Sequence, residues 1–308
     1  MIEAILYSIA GLVGLAIGGE LLVRGAVGIA QRLGVSNLVT GLVIVGFATS
    51  MPEMVASVEA ALAGSPGIAW GNVVGSNLAN TLLILGATAL VTPIVLSGTG
   101  RRDAIVALIA TLGLWALTAS QFGHRGIGFA LFAGITAYIY WRYNHPHSDV
   151  GDEEDEPEAQ VRLPAAIMLF AIGLGLLVVA GQALVTGAID LARIFGVSET
   201  AIGLTVVAIG TSLPELAASI AAAVRGKPGL AIGNVVGSNI YNILLIGGAT
   251  MSIAPFAIPA DLLTYEMVIL AGSAVIFLLI VSFAKQIGRS VGALLLALYA
   301  GTIVIAFT

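Results

Sequence analysis

Long apolar stretches separated by short polar turns occupy almost the whole chain, and each is long enough to cross a bilayer, for which about 20 residues suffice. Charged and turn-forming residues divide these stretches into ten predicted helices. They cover residues 4–24, 37–63, 67–96, 103–120, 126–142, 164–192, 199–224, 229–256, 262–284 and 290–307. The pattern therefore predicts an all-α polytopic membrane protein.

Composition strengthens this prediction, because only 9% of the 308 residues are charged, against about 25% in a soluble domain. Seven of the 17 acidic residues lie in one run, residues 149–158. A run of like charges is usually a solvated linker, although a regulatory Ca2+ site there is an alternative. We therefore divide the chain into a first half (1–142), an acidic linker (143–163) and a second half (164–308). The absence of a basic patch argues against a nucleic-acid partner.

An internal repeat relates the two halves. Residues 41–80 align with residues 203–242 without a gap, at an offset of 162, and 23 of the 40 aligned pairs are identical. The matching segments read GFATSMPE and AIGTSLPE, followed by GNVVGSNLAN and GNVVGSNIYN. Two unrelated apolar helices would share Leu, Val and Ala but not these polar motifs.

Five helices per half is an odd number, so the second half is predicted to be inverted relative to the first. The basic residues test this independently, because basic loops remain cytoplasmic. Only Arg125 and Arg193 lie on one side of the predicted topology. The other side carries Arg24, Arg32, Arg101, Arg102, Arg142, Arg162, Arg225, Lys227, Lys285 and Arg289. This predicts a cytoplasmic linker and both termini outside, and ten transmembrane helices in two inverted five-helix repeats are typical of transporters.

Glu53 and Glu215 lie inside apolar helices at equivalent positions of the repeat. A carboxylate at the centre of a bilayer costs at least about 2.5–3.5 kcal/mol to insert. Hydrogen bonding between two protonated acids of neighbouring helices is the structural alternative. Because the flanking residues also resemble cation ligands, we favour a cation site at mid-bilayer.

Pro52 and Pro214 directly precede the two glutamates, and a proline inside a helix breaks or kinks it. The break is expected to release backbone carbonyls one turn upstream, and in hydrocarbon such groups must be satisfied by protein, water or an ion. The carbonyls concerned are near Gly46, Thr49, Ala208 and Thr211, and hydroxyls stand at the same breaks on Thr49, Ser50, Thr211 and Ser212.

The second motif, GNVVGSN, offers further neutral oxygens. Ser76 and Asn80 are four residues apart and share a helix face, as do Ser238 and Asn242. We interpret the remaining amides as groups that brace the helices or support the ligands. They are Asn72, Asn77, Asn234 and Asn239.

All of these candidate ligands are oxygens, which suits a hard cation such as Ca2+ or Na+. The three histidines lie in predicted loops and the chain has no cysteine, so a site for zinc or another transition metal is disfavoured. Four other acids have no carboxylate at their repeat counterparts and are expected at interfaces or vestibules. They are Glu20, Glu59, Asp190 and Glu266.

TSMPE and TSLPE, with the paired GNVVGSN segments, resemble the alpha repeats of the cation/Ca2+ exchanger superfamily, specifically its Na+/Ca2+ exchanger branch with prokaryotic members. The resemblance covers essentially the whole chain. It implies a Ca2+ site formed by Glu53, Glu215 and backbone oxygens of Thr49 and Thr211. It also implies flanking Na+ sites that use Ser50, Ser76, Ser212, Ser238 and the carbonyls of Gly46 and Ala208.

One position departs from the resemblance. Some prokaryotic members and the K+-dependent branch have Asp where this chain has Asn242, and Asn80 is also an amide. The formal charge of the site is then −2, and K+ dependence is not expected.

The sequence thus predicts an antiporter in a prokaryotic plasma membrane that exchanges Na+ for Ca2+ by alternating access, electrogenically, and is not an enzyme. Its predicted substrates are Ca2+ and Na+, with no cofactor, the lipid bilayer as its surroundings and a monomer as the working assembly. The nearest rival is a Ca2+/H+ antiporter that uses the same glutamates. A Ca2+-selective channel and an intramembrane hydrolase are rivals of other classes, and the apolar segments contain no His, Cys or Asp pair that a hydrolase would need.

Overall fold

The structure is a computed structural model. It describes residues 2–33, 39–62, 64, 66–96, 100–144, 162–194, 208–258, 260–263 and 265–306. These parts are mostly helical, as the hydropathy pattern predicts. Most of the acidic linker lies outside the described residues.

The first half consists of seven α-helices, two π-helical turns and one short strand among its described residues. They are α1 (Ile2–Leu33), a π-helix (Thr40–Val45), α2 (Gly46–Thr49), α3 (Met51–Leu62), α4 (Pro66–Leu78), a second π-helix (Ala79–Ile84), α5 (Leu85–Val91), β1 (Ile94–Val95), α6 (Arg101–Ser120) and α7 (Arg125–Asn144). Helix α1 extends nine residues beyond the predicted end at residue 24.

The second half has a similar order of helices over its described residues, but its strand comes one helix later. Its elements are α8 (Leu163–Ile194), α9 (Ala208–Thr211), α10 (Leu213–Val224), α11 (Pro228–Tyr241), a third π-helix (Asn242–Ile246), α12 (Gly247–Ile253), a 3-10 turn (Ala260–Leu263), α13 (Glu266–Phe283), β2 (Gln286–Ile287) and α14 (Arg289–Ala306).

Six helical segments within the described residues have the length and apolar composition needed to cross a bilayer, and the bent segment of α2 and α3 makes a seventh. Two shorter apolar helices, Leu213–Val224 and Arg289–Val304, lie in the second half. The chain is therefore a helical, multi-pass membrane protein.

The predicted breaks occur next to the prolines. Helical segments 40–49 and 51–58 meet at an angle of 45°, and Ser50 between them has φ −80° and ψ 1°. In the second half Ser212 separates α9 from α10 with φ −90° and ψ 6°. The serine at each helix break thus has nearly the same backbone conformation in both halves.

Two buried clusters divide the molecule into layers. Helices α1 and α8 pack along each other, and their apolar residues form a small cluster with α10 and the start of α11. A larger cluster joins α4 to α7 with α11 to α14 and their π-helical turns. The long α1–α8 pair therefore packs on α10, which follows the second helix break, and the larger cluster forms a separate body.

The two halves of this body are also joined at its surface. Strands β1 and β2 pair antiparallel, with Ile94 opposite Ile287 and Val95 opposite Gln286. The amide of Gln121 donates to the carbonyl of Ile258, at 3.1 Å, in a second connection between the halves. These contacts hold loops of the two halves together away from the helix breaks.

Candidate cation-binding site

The two glutamates occupy equivalent and deeply buried positions. Glu53 lies in the first turn of α3 and Glu215 in the first turn of α10. Their side chains are 2% and 1% exposed. Because the amide end of a helix carries a partial positive charge, each helix start stabilises the carboxylate that it presents.

Each glutamate accepts a hydrogen bond from the serine at the break of the other half. The hydroxyl of Ser212 donates to Glu53 Oε1 at 3.2 Å, and that of Ser50 donates to Glu215 Oε1 at 3.4 Å. The crossing contacts bring both breaks, and therefore both carboxylates, into one cluster. The repeat alone does not reveal that the serines are exchanged between halves.

An amide fixes the backbone beside the first glutamate. Asn72 Nδ2 donates to the carbonyl of Glu53 at 3.2 Å and to the hydroxyl of Ser57 at 2.9 Å. One side chain of α4 thus holds the first two turns of α3 at two points.

We call this pair of hydrogen bonds from one asparagine a clamp, and the second half has the same one. Asn234 Nδ2 donates to the carbonyl of Glu215 at 3.1 Å and to the hydroxyl of Ser219 at 2.8 Å. The corresponding distances in the two halves differ by 0.1 Å. This confirms that Asn72 and Asn234 brace the helices that carry the glutamates.

Two further amides brace helices in different ways. Asn77 Nδ2 donates to the Val73 carbonyl of its own helix at 2.7 Å. Asn239 Nδ2 donates to the hydroxyl of Thr81 in the opposite half at 2.9 Å. The Asn239 contact agrees with the bracing role predicted for it, whereas the Asn77 bond stays within its own helix.

The π-helical turns begin where the second motif ends. Asn80 is the second residue of one π-helix and Asn242 the first residue of another. Single π-helical turns within α-helices occur frequently at functional sites. Both amides are 1% exposed, and they lie one helical turn beyond Ser76 and Ser238, which are also buried.

Several buried oxygen atoms in this region have no hydrogen-bond partner among the residues that the structure describes. A buried polar group without a partner costs about 1–3 kcal/mol, and more when it is charged. They are Glu53 Oε2, Glu215 Oε2, Asn80 Oδ1, Asn242 Oδ1 and Ser238 Oγ. Two carboxylate oxygens with three neutral oxygens form the kind of ligand set that Ca2+ or Na+ requires.

Other predicted ligands already have hydrogen-bond partners within the protein. The Thr49 hydroxyl lies 3.1 Å from the Val45 carbonyl and 3.4 Å from Asn234 Oδ1. Gly237 lets α11 approach here, because a Cβ at that position would lie 2.7 Å from the Leu42 carbonyl. Ser76 Oγ donates to Asn72 Oδ1 at 3.4 Å, so this serine points towards the clamp.

The expectation that the Gly46 carbonyl is released was wrong, because it accepts a hydrogen bond from the Ser50 amide at 3.1 Å. The helix continues to Thr49 and breaks one residue later than that expectation required. Ala208 and Thr211, the counterparts in the second half, are the first and last residues of α9.

The four other acids lie apart from this cluster where they are described. Glu20 forms ion pairs with Arg24 and Arg225 and is 39% exposed. Glu266 begins α13 and accepts from the Tyr265 amide at 3.4 Å. The side chains of Glu59 and Asp190 lie outside the described residues.

Sequence reasoning missed two groups of residues. Ser57 and Ser219 complete the clamps, and their offset of 162 within the repeat could have revealed them. Asp103 accepts from the hydroxyl of Tyr138 at 2.6 Å and pairs with Arg142 at 3.2 Å. This buried network joins α6 to α7 and has no signal in the motifs.

Comparison with known proteins assigns the chain to a family. The sequence profile described as "Sodium/calcium exchanger protein" matches residues 3–143 and 165–308. The chain belongs to this family. It is therefore a membrane antiporter of the sodium/calcium exchanger superfamily, and the resemblance seen in its alpha repeats is confirmed.

Individual relatives match over nearly their full lengths. CaxA of Alkalimonas amylolytica is 38% identical, with 98% of both chains covered. The sodium/calcium exchanger MaX1 of Methanosarcina acetivorans is 31% identical, with 96% of both chains covered. The solved structure of the sodium-calcium exchanger NCX_Mj soaked with Na+ and without Ca2+ is 30% identical and superimposes with a TM-score of 0.84, covering 98% of each chain. This exchanger therefore has the same fold as NCX_Mj.

Proposed function

We propose that this exchanger moves Ca2+ across the membrane in exchange for Na+, by alternating access to one site built around Glu53 and Glu215. The observation that carries the proposal is a pair of buried carboxylates, each with one oxygen that has no hydrogen-bond partner. Two negative charges at this depth are stable only with a compensating cation or protons. A bound Ca2+ supplies the compensating charge in full.

The proposed Ca2+ ligands are the carboxylates of Glu53 and Glu215 and the backbone oxygens of Thr49 and Thr211. Neutral oxygens around them exceed what one Ca2+ requires and are proposed to hold Na+. They belong to Ser50, Ser76, Ser212, Ser238, Asn80, Asn242, Gly46 and Ala208. The Gly46 carbonyl retains a second lone pair for a cation beside its bond to Ser50.

Na+ rather than H+ is the proposed coupling ion because of this surplus. A proton exchanger needs only the two carboxylates, whereas several Na+ ions need the neutral oxygens that flank them. The named sodium/calcium exchangers MaX1 and NCX_Mj support the assignment, being similar over almost the whole chain. Structures of NCX_Mj soaked with Na+ alone and with Na+ and Sr2+ are both close to this chain, with TM-scores of 0.84 and 0.83.

We infer electrogenic and K+-independent exchange from the charge of the site together with a ratio of three Na+ to one Ca2+, which the family resemblance implies. The two carboxylates neutralise one Ca2+, whereas three Na+ ions would leave a net positive charge. Asn80 and Asn242 add no third carboxylate that could compensate a K+ ion. Membrane potential is therefore expected to change the rate of exchange.

Alternating access is proposed to use ten transmembrane helices arranged as two inverted repeats, residues 1–142 and 164–308. Inverted repeats with broken helices at a midplane site are a recurrent transporter architecture. Residues 143–163 then form a cytoplasmic linker and both termini face outside a prokaryotic plasma membrane. We take the monomer, surrounded by lipid, as the working unit.

Purified exchanger in proteoliposomes tests the coupling ion. Vesicles loaded with Na+ and diluted into Na+-free buffer with labelled Ca2+ should accumulate Ca2+, since outward Na+ movement drives uptake. A pH gradient in Na+-free buffer should produce no uptake, and acid pH should slow Na+-driven uptake because protons compete for the carboxylates. Robust uptake driven by the pH gradient alone would replace Na+ with H+ as the coupling ion.

A further inference from the structure

An ion-pair cluster joins α1 to the turn between α10 and α11, outside the cation site. Arg225 donates to both carboxylate oxygens of Glu20, and its Nε lies 2.7 Å from Oε2. Arg24 Nε reaches Oε1 of the same carboxylate at 2.8 Å. The arrangement joins residues 205 positions apart and is the bidentate form in which arginine binds carboxylates most strongly.

The ion-pair cluster joins the α1–α8 pair to the helix that carries Glu215. Glu20 and Arg24 belong to α1, which packs along α8, whereas Arg225 follows the last residue of α10. Beside it, Ala222 and Ala223 are buried against apolar residues of α1. Movement of α1 away from α10 at this end requires the ion pairs to break.

The repeat shows that the three residues of this cluster have no charged equivalents in the other half. The alignment at the offset of 162 extends to α1 and α8, where residues 18–36 and 180–198 are identical at 9 of 19 positions. Glu20 then corresponds to Gln182 and Arg24 to Thr186, while Arg225 corresponds to Ala63. All three charged residues therefore have uncharged counterparts.

The backbone of the turn confirms that the compared positions are equivalent. Gly64 and Gly226, next to Ala63 and Arg225, both have positive φ values, 75° and 70°. The two turns therefore share a conformation that favours glycine. The compared positions differ in charge, while the adjacent glycines share their backbone conformation.

We propose that the Glu20–Arg225 pair is a latch that holds one face of the exchanger closed and so favours the conformation open to the opposite face. This inference rests on the proposed alternating access. An exchanger built from inverted repeats opens its two faces by equivalent movements, so their energies differ only where the sequences differ. Opening the face that carries the pair requires the pair to break, whereas opening the other face does not. The distribution of basic residues assigns the face with the pair to the cytoplasm.

A reporter cysteine measures opening of the latched face without any transport assay. The chain has no cysteine, so Ala223→Cys provides one thiol, buried between α10 and α1. Reaction of the purified protein with a polar maleimide follows the fraction of molecules in which this face is open. Lys285→Cys, on an exposed part of the same predicted face, is the matched control.

Removal of the pair should accelerate labelling of the reporter. Glu20→Gln and Arg225→Gln should each raise the rate at Ala223→Cys by about fivefold, the upper end of the range for a solvent-exposed ion pair. The double variant should again give about fivefold and not about twenty-fivefold, because both changes break one interaction. The rate at Lys285→Cys should not change.

Two results would overturn the latch. One is a labelling rate at Ala223→Cys in the Glu20→Gln variant that stays within about twofold of the parent. The other is a rate in the double variant that equals the product of the two single increases. Circular dichroism and thermal unfolding of each variant exclude labelling caused by loss of structure. Because labelling is measured without ion gradients, failure of the latch is distinct from failure of Na+-driven Ca2+ uptake in proteoliposomes.

Discussion

The two halves of this exchanger are nearly identical around the glutamates and different at the ends of their helices. In the centre, Asn72 and Asn234 make the same pair of hydrogen bonds with distances that agree to 0.1 Å. At one end, Arg225 pairs with Glu20, where the corresponding turn has Ala63. One site between two halves uses equivalent residues of each, whereas the ends, which the proposed inverted topology places in different compartments, carry different charges.

The largest expected contrast concerns membrane sidedness. Ser65 and Lys227 are equivalent residues of the repeated turn, and inverted topology places them on opposite sides. An impermeant thiol reagent added outside intact cells should label Ser65→Cys but leave Lys227→Cys and Glu154→Cys unlabelled until the membrane is permeabilised. Labelling of Glu154→Cys from outside would show that the two halves are not inverted as proposed.

The next contrast tests equivalence of the two carboxylates. Glu53→Gln and Glu215→Gln should each lower Na+-driven Ca2+ uptake at least about tenfold, because loss of one charge costs a divalent ion well over 1.4 kcal/mol. Glu266→Gln, which changes an acid outside the cluster, should transport normally. Near-normal uptake by either folded glutamate variant would remove that residue from the site, and a large difference between them would break the symmetry.

A smaller and again equal effect is expected from the clamps. Asn72→Leu and Asn234→Leu each remove the donor to a buried serine and to a glutamate carbonyl, which should destabilise the protein by about 1–3 kcal/mol. Thermal unfolding in detergent and the Ca2+ concentration for half-maximal uptake measure the two consequences. Asn77→Leu is the control, since its amide bonds only the Val73 carbonyl of its own helix. If Asn77→Leu lowered thermal stability or apparent Ca2+ affinity more than the two clamp variants do, the clamps would have no special role.

The smallest expected effect is that of K+. Both halves have an amide, Asn80 and Asn242, at the position where a third carboxylate could lie. Replacing K+ by choline on both sides of the vesicle membrane should leave Na+-driven Ca2+ uptake unchanged. Dependence of uptake on K+ would mean that the two carboxylates and the neutral oxygens are sufficient for a third type of cation.

The sequence predicted the helices and the candidate ligands well where a local pattern carried the signal. Pro52 and Pro214 indicated helix breaks, and the structure breaks at the preceding serines. Helix ends were less accurate: α1 continues past Arg24 to Leu33, and Arg24 pairs with Glu20 one turn earlier in the same helix. The Gly46 carbonyl, expected to be free, keeps a hydrogen bond because the break falls one residue after Thr49.

What the sequence determined by itself is the repeat and the chemistry placed on it. An offset of 162 related both glutamates, both prolines and both GNVVGSN segments, and apolar length indicated a membrane protein. These inferences succeed because an unpaired carboxylate is costly in hydrocarbon and chance does not repeat it at matched positions.

Only the tertiary structure decided which side chains meet across the halves. The serines of the two breaks are exchanged, so that Ser212 donates to Glu53 and Ser50 to Glu215, and Glu20 joins Arg225 over 205 positions. Contacts of this kind depend on how helices from distant parts of the chain pack against each other. No periodicity or motif within a single helix records that packing, since each partner is chosen by proximity in space.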